Sequence, residues 1–308
     1  MFKNISFRQL QVFKRISETG TFTAAAKELY LTQPTVSILM KKLENAVGTP
    51  LFEQIGRRTH LTKAGEEFRR LCCDMFLQID SFEDFLATEK GVLNGTVRLA
   101  GVTTTECFAP LLLKQFQNIF PSINVQLNIA DTESINQRMC SNYDDLYLID
   151  KMPDDIEVVL VPLFTDSLVV IADQSHHLNN NDTVSLQHLE NQNFILREAN
   201  SGARTVIDKF FQKNGIKLQV GLELSCNEGL KQAVSEGMGL SIISKHAITP
   251  KCTVNGLVVL QCDGFPLTQP WYLAYPKDKY LSPAVDQLLR FILSTGKREL
   301  EQSCHQLF

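Results

Sequence analysis

The chain has 308 residues, 44% hydrophobic and 21% charged, with a net charge of −4, enough length for two or three domains and enough apolar material for a substantial core. No apolar run approaches the roughly 20 residues that span a bilayer, and the opening MFKNISFRQLQVF is too interrupted by polar residues for a secretion signal, so a soluble cytoplasmic protein is expected. The charge is uneven: residues 1–65 hold ten Lys/Arg against four Asp/Glu, a net of +6, leaving −10 on the rest, the asymmetry of a small module that meets a polyanion on an acidic body.

The run from Thr23 to Gly65 predicts a helix-turn-helix followed by a basic loop. Ala24, Ala25 and Ala26 are small enough for two helices to approach closely. A turn falls at Leu31–Thr32, Thr32 and Gln33 stand where a cap is expected, and Pro34 suits a first helical turn. Val36, Met40, Leu43 and Val47 recur on one helical face and predict its core side. Thr35, Ser37, Lys41 and Lys42 point elsewhere, and short hydroxyls with long cations suit base edges and phosphates. Gly48 ends the helix. An ordinary amphipathic helix pair with a solvated basic face is the alternative for these helices alone.

A long helix is expected from about residue 66 to residue 90, with neither Gly nor Pro inside it. Phe68, Cys72, Met75, Ile79, Phe82 and Leu86 form a seam predicted to meet a second copy of the chain, with a helix packed on its own domain as the alternative. Gly91 and Asn94-Gly95 mark a hinge.

From Thr96 onward strand and helix signals alternate, which argues for βα units and a parallel sheet. Strands are predicted at Thr96–Gly101, Val125–Ala130 and Leu146–Ile149, with helices at Cys107–Phe120 and Glu133–Cys140. Pro162–Asp173 reads as strands crossing to a second unit of the same grammar: strand Phe194–Leu196, helix Ala203–Lys213, strand Gln219–Leu224, helix Asn227–Glu236, strand Leu240–Ile243. Gln269–Tyr275 returns and Pro283–Thr295 closes. The expected organisation is a DNA-binding domain at 1–65, a linker helix at 66–91, and a two-lobed α/β domain at 92–308. Lobe I covers about 92–162 and 268–296, and lobe II about 163–267.

A cleft between two such lobes is where small ligands bind. Thr103, Thr104 and Thr105 follow the first strand and are expected to open a helix with free N–H groups and hydroxyl donors; an ordinary N-cap needs only one of them. Ser201, Gly202 and Arg204 open the matching helix of lobe II, where Gly allows close approach and Arg can fork an anion; a surface cap with a solvated Arg is the alternative. Asn227 and Glu228 open the next helix as ligand contacts, or as a cap and a dipole partner. Two helix starts and one Arg suggest an anionic ligand.

No G-x-S-x-G, P-loop or H-E-x-x-H occurs, so no catalytic set is expected. The eight cysteines form no C-x-x-C pair and the six histidines show no zinc-finger spacing, so neither metal nor cofactor is expected. The simplest reading of the thiols is core or surface residues, with redox sensing at Cys107 or Cys226 as the alternative.

The residues Phe7-Arg8-Gln9-Leu10, Ala24-Ala25, Leu31 to Ser37, Leu43-Glu44, Leu51-Phe52, Arg57-Arg58 and Leu61-Thr62-x-Ala64-Gly65 resemble, in order and spacing, the DNA-binding domain of the LysR-type transcriptional regulators. The resemblance implies a winged helix-turn-helix whose second helix reads the major groove. The contacts would be Gln33, Pro34, Thr35, Ser37 and Lys41 behind the Thr32 cap, with Arg57 and Arg58 on the wing. Ile38 and Leu39 stand where relatives usually carry polar residues, either to meet thymine methyls or to be partly buried. Phe194 to Glu198, Asn200-Ser201-Gly202-x-Arg204, Asn227-Glu228, Gly237-Met238-Gly239-Leu240, Gly264-Phe265-Pro266-Leu267 and Trp271-Tyr272-Leu273 are similar to the branch that regulates carbon-fixation operons. The family resemblance implies a periplasmic-binding-protein-like effector domain, an inverted-repeat promoter site and a homodimer pairing into a tetramer, and the branch likeness implies phosphorylated sugars, phosphoenolpyruvate or NADPH as effectors. The stretch Cys140–Pro153 departs from the branch pattern, where a small residue and an alanine-rich strand are common. A cytoplasmic solute receptor without a DNA role is the alternative function.

Overall fold

The computed structural model describes residues 5–55, 58–89, 94–153, 156–180, 182–248 and 256–300. Arg57 and the hinge residue Gly91 lie outside them. The chain forms two compact units, residues up to Glu83 with Ser141–Tyr143, and the remainder.

In the first unit, local chemistry sets each helix start. Ser6 and Gln9 form a reciprocal capping box at the head of α1 (Phe7–Thr19), which ends on Gly20 at φ 69°, a left-handed turn that favours glycine. Thr21 caps α2 (Phe22–Glu28), and Thr32 caps α3 (Gln33–Val47), which carries Pro34 in its first turn and stops at Gly48. Strands β1 (Phe52–Ile55) and β2 (Arg58–Leu61) pair antiparallel as a wing. The 27-residue α4 (Lys63–Glu89) follows. The core joins Val12, Phe13 and Ile16 of α1 with Ala25 and Ala26, then Val36, Met40 and Leu43, and finally Leu51, Phe68, Cys72 and Phe76. Phe13 meets Phe68 edge-on at 4.9 Å and Phe52 at 5.2 Å.

This packing corrects the predicted seam of α4. Phe68 and Cys72 are buried in their own chain's core. Met75, Ile79, Phe82 and Leu86 are exposed, and Leu71 joins them. The sequence pattern had merged two faces: one turns inward through Phe68, Cys72 and Phe76, the other outward through Leu71, Met75, Ile79, Phe82 and Leu86.

The second unit is a two-lobed α/β fold. In lobe I, β3 (Gly95–Val102) lies parallel between β4 (Ile123–Ala130) and β5 (Leu146–Ile149). Helices α5 (Ala109–Ile119), α6 (Thr132–Cys140) and α10 (Pro283–Phe291) accompany it. The 16-residue β6 (Val158–Asp173) runs antiparallel to β11 (Leu267–Pro276) along its length, with a register shift between Trp271 and Tyr272. Lobe I uses the first half of β6 and lobe II the second. There β6 pairs with β9 (Ser241–Ser244) and β10 (Leu257–Leu260). Parallel β7 (Asn193–Arg197) and β8 (Gln219–Leu224) join through a Phe194–Leu240 bridge, with α7 (Leu186–Glu190), α8 (Gly202–Lys213) and α9 (Asn227–Ser235) packed around them. One core fills lobe I around Tyr147, Phe116 and Trp271. Two more fill lobe II, one around Phe194 and Phe211, the other around Ile195 and Val234.

The threonine triplet does not open an α-helix. Thr103–Cys107 is a single 3-10 turn, and α5 begins only at Ala109, with Pro110 in its first turn. Proline lacks the N–H that a helix interior needs, so it places the start. Among the described residues no helix is long and apolar enough to cross a membrane.

Candidate functional site

Two sites draw on different parts of the chain. The first is the surface of α3. The Thr32 hydroxyl accepts the Thr35 N–H at 3.4 Å and lies 2.8 Å from the Thr35 hydroxyl. One turn on, Gln33 Nε2 donates to Ser37 Oγ at 3.0 Å. Because Val36, Met40 and Leu43 are buried, the opposite face is fixed outward: Thr32, Gln33, Pro34, Thr35 and Lys41 are exposed and Ser37 is half-buried. Ile38 is 57% exposed on that face, whereas Leu39 packs against the core. Of the two apolar residues, Leu39 is thus the partly buried one and Ile38 the exposed one. A groove of about 490 Å3 beside α3 is lined by Thr21 and Thr23 of the α2 start, Gln33, Ser37 and Glu44 of α3, and Gln54 and Thr59 of the wing.

Glu44 is a residue that sequence reasoning did not single out for a role. Its Oε1 accepts the Leu51 N–H at 2.8 Å and the Phe52 N–H at 3.3 Å. It thereby ties the root of the wing to α3. Arg58 opens β2 of that wing.

The second site lies within the α/β unit, where the carboxyl ends of parallel strands gather, the usual ligand position in such sheets. Thr103–Thr105 follow β3, Asp150 follows β5, Arg197 ends β7, and Asn227 starts the helix after β8. Thr104 is the meeting point: Asn227 Nδ2 donates to its hydroxyl at 3.2 Å, and Arg197 Nη1 points at it from 3.5 Å. Arg197 is 4% exposed and grips Glu198 with two bonds of 2.9 and 2.7 Å. Thr103 donates to the Ala130 carbonyl at 3.4 Å, and the buried Thr105 hydroxyl has no partner.

Ser201 caps α8, its hydroxyl accepting the Arg204 N–H at 3.1 Å. The Arg204 side chain, expected to meet a ligand in the cleft, is held by partners within lobe II. Its Nε donates to Asp208 at 2.9 Å, and its Nη1 donates to Glu223 at 2.9 Å and to the Arg197 carbonyl at 2.8 Å. Asp208 and Glu223 are half exposed, so this guanidinium braces lobe II from its solvent side. The cap of α9 is Cys226, whose Sγ accepts the Gly229 N–H, and not Asn227. Glu228 is 74% exposed and pairs with Lys231 at 2.5 Å.

The electrostatics are set mainly by burial. Asp150 is pushed up to about 6 by burial, against the pull of Arg197. Asp166, bonded to Ser244 Oγ and to the Ser167 N–H, is pushed up to about 6 by burial too. Burial with Lys245 nearby lowers His246 to about 4, leaving it neutral. Burial raises the Cys107 thiol to about 12, which makes it a poor nucleophile near neutral pH. Among the described residues no group of His, Cys, Asp and Glu is placed to hold a metal ion. Hydroxyl, amide and guanidinium donors converging between two lobes can hold a small polar molecule.

Comparison with known proteins agrees on both units. The model of bacterial regulatory helix-turn-helix proteins of the lysR family matches residues 7–66, and the LysR substrate binding domain matches residues 90–297. The HTH-type transcriptional activator CmpR of Synechocystis sp. is 39% identical over 292 residues, 95% of this chain and 96% of that protein. The RuBisCO operon transcriptional regulator of Allochromatium vinosum is 37% identical, covering 96% and 98%. Among solved structures, the regulatory domain of Synechocystis CcmR in complex with 2-PG superposes with a TM-score of 0.62 at 35% identity, over 66% of this chain and 97% of that one.

Proposed function

The chain belongs to the LysR family of transcriptional regulators, and from that premise we propose how its two sites divide the work. Helix α3 enters the major groove of promoter DNA. Gln33, Pro34, Thr35, Ser37 and Lys41 meet base edges and phosphates, Thr32 holds the helix start, and the Arg57-Arg58 pair of the wing meets the backbone or minor groove. Ile38 meets a thymine methyl. The observation that carries this reading is the outward polar face of α3, fixed by the burial of Val36, Met40 and Leu43. Binding should fall steeply with salt as phosphate contacts release counterions. Ser37→Ala should change sequence preference by about 1–3 kcal/mol, and Lys41→Ala should weaken all sites alike. Titration of the promoter beside its own gene, across salt and against random DNA, tests this: sequence-blind binding insensitive to salt sinks it.

The inter-lobe site takes a small anionic metabolite. Support comes from CcmR, whose regulatory domain is described in complex with 2-PG, and from the donors of Thr104, Asn227 and Arg197. Arg197, rather than Arg204, supplies the cation on this reading, because Arg204 is already held by two carboxylates and a carbonyl. Arg197→Ala should remove a charge-assisted contact of roughly 1.5–3 kcal/mol and weaken binding of 2-phosphoglycolate at least tenfold by calorimetry; unchanged affinity refutes the assignment.

The protein acts in the cytoplasm as a homodimer, paired into a tetramer, and the outward stripe Leu71, Met75, Ile79, Phe82 and Leu86 of α4 meets its counterpart on a second copy. Met75→Glu with Phe82→Glu should shift the particle to a smaller size in solution.

A further inference from the structure

The residue that faces the start of α8 across the site is Asp150. Gly202 is the first residue of that helix, and a Cβ placed there would collide with the carboxylate of Asp150. A side chain of lobe I therefore occupies the space above the helix start of lobe II. The residue is 9% exposed. Its Oδ2 accepts Gln269 Nε2 at 2.7 Å, while Oδ1 is buried with no partner. A negative charge suits a helix start, but a desolvated carboxylate oxygen without a donor is costly. The charged groups facing it are Arg197, which attracts it, and Glu198 and Asp166, which repel it. Arg197 is itself gripped by Glu198, so the site holds little positive charge to spare. A second anion arriving at this helix start meets a like charge, and two such charges cannot both stay ionised at close range.

We propose that Asp150 is the specificity-determining residue of the inter-lobe site, a resident anion that must take up a proton before an anionic effector can bind at the start of α8. The proton comes from solvent and sits on Oδ1, the oxygen without a partner, where it becomes a hydrogen-bond donor to the incoming anion. Burial already holds this carboxyl near 6, so neutralising it needs only a modest bias from the ligand. The proposal rests on the reading of this site as an anion site.

The test is calorimetric titration of 2-phosphoglycolate into the full chain and into Asp150→Asn at pH 5.5, 7 and 8. Buffers of different ionisation enthalpy count the protons. The ligand's own titration cancels in the difference between the two proteins. The original chain should take up close to one proton more than the variant at pH 8, and above pH 6 its affinity should fall about tenfold more per pH unit, the slope of a one-proton linkage. Asp150→Asn should bind at least tenfold more tightly than the original chain at pH 8. Asp150→Ser, neutral and shorter, should behave as Asp150→Asn does and guards against a folding defect in either. Equal affinity and equal proton uptake in all three overturn the role of Asp150 while leaving the anion site standing. Failure of all three to bind at any pH overturns both.

Discussion

The α3 surface and the inter-lobe site are built over very different lengths of chain. Around α3, the Thr32–Thr35 and Gln33–Ser37 contacts and the Glu44 link to Leu51 and Phe52 all lie within eight residues. Around Thr104, Arg197 is 93 residues away and Asn227 is 123, and Gln269 reaches Asp150 across 119. The α3 surface is therefore a local object that needs only its own small core. The cluster around Thr104 exists only when both lobes are folded and meet.

The largest expected effect tests the independence of the two. Leu43 is fully buried in the first unit, so Leu43→Ala should destabilise that unit by about 2–5 kcal/mol and abolish promoter binding at moderate temperature. Binding of 2-phosphoglycolate should survive. An equal loss of both, read by denaturation and calorimetry on one sample, breaks the comparison. Next is Arg204→Ala, which strands the Arg197 carbonyl and two half-exposed carboxylates. Discounted for solvent screening, the loss in stability should be roughly 1–2 kcal/mol, and ligand affinity should fall less than in Arg197→Ala.

A pH series sharpens the long-range side. Burial raises Asp166 to about 6 in the folded chain, so between about pH 4 and pH 6 the native state holds a proton the unfolded state has released. Stability from this group is present below that window and is lost as pH rises through it. Asp166→Asn should therefore fare better relative to the original chain at pH 8 than at pH 4, by on the order of 1 kcal/mol; a pH-independent difference in denaturation midpoint refutes it. The smallest effect is Thr32→Ala, which loses one cap, typically about 1 kcal/mol, and should lower DNA affinity modestly for every sequence.

The same difference in span explains what could be read from the chain alone. The helix-turn-helix was legible because each cap, turn and core face is written in neighbouring residues: Thr32 with Pro34, Gly48, and the Val36, Met40, Leu43 face. In the α/β unit the alternation of elements was legible, but the direction of side chains was not. The choice between Arg197 and Arg204 depends on Asp208 and Glu223. The first stands four residues from Arg204, helical pairing distance, and was the available clue. Asp150 and Arg197 share a signal too, a charge at the carboxyl end of a short buried strand, LYLI-D and FIL-R. The period of α4 misled because two adjacent apolar stripes run along one helix, and residues from both fit a single heptad reading. In the 3-10 turn at Thr103–Cys107, hydroxyls suggested a helix start that Pro110 places later.

Strand β6 passes through both lobes without a break, and β11 runs beside it in the opposite direction. The lobes are thus joined by a two-ply ribbon rather than by a loose loop. A ribbon of this kind resists shear and stretching, because either would break ladder hydrogen bonds, and yields most readily to torsion about its length. The bulge beside Trp271 is where its ladder is already interrupted. Any movement of one lobe against the other therefore has to pass through this paired ribbon.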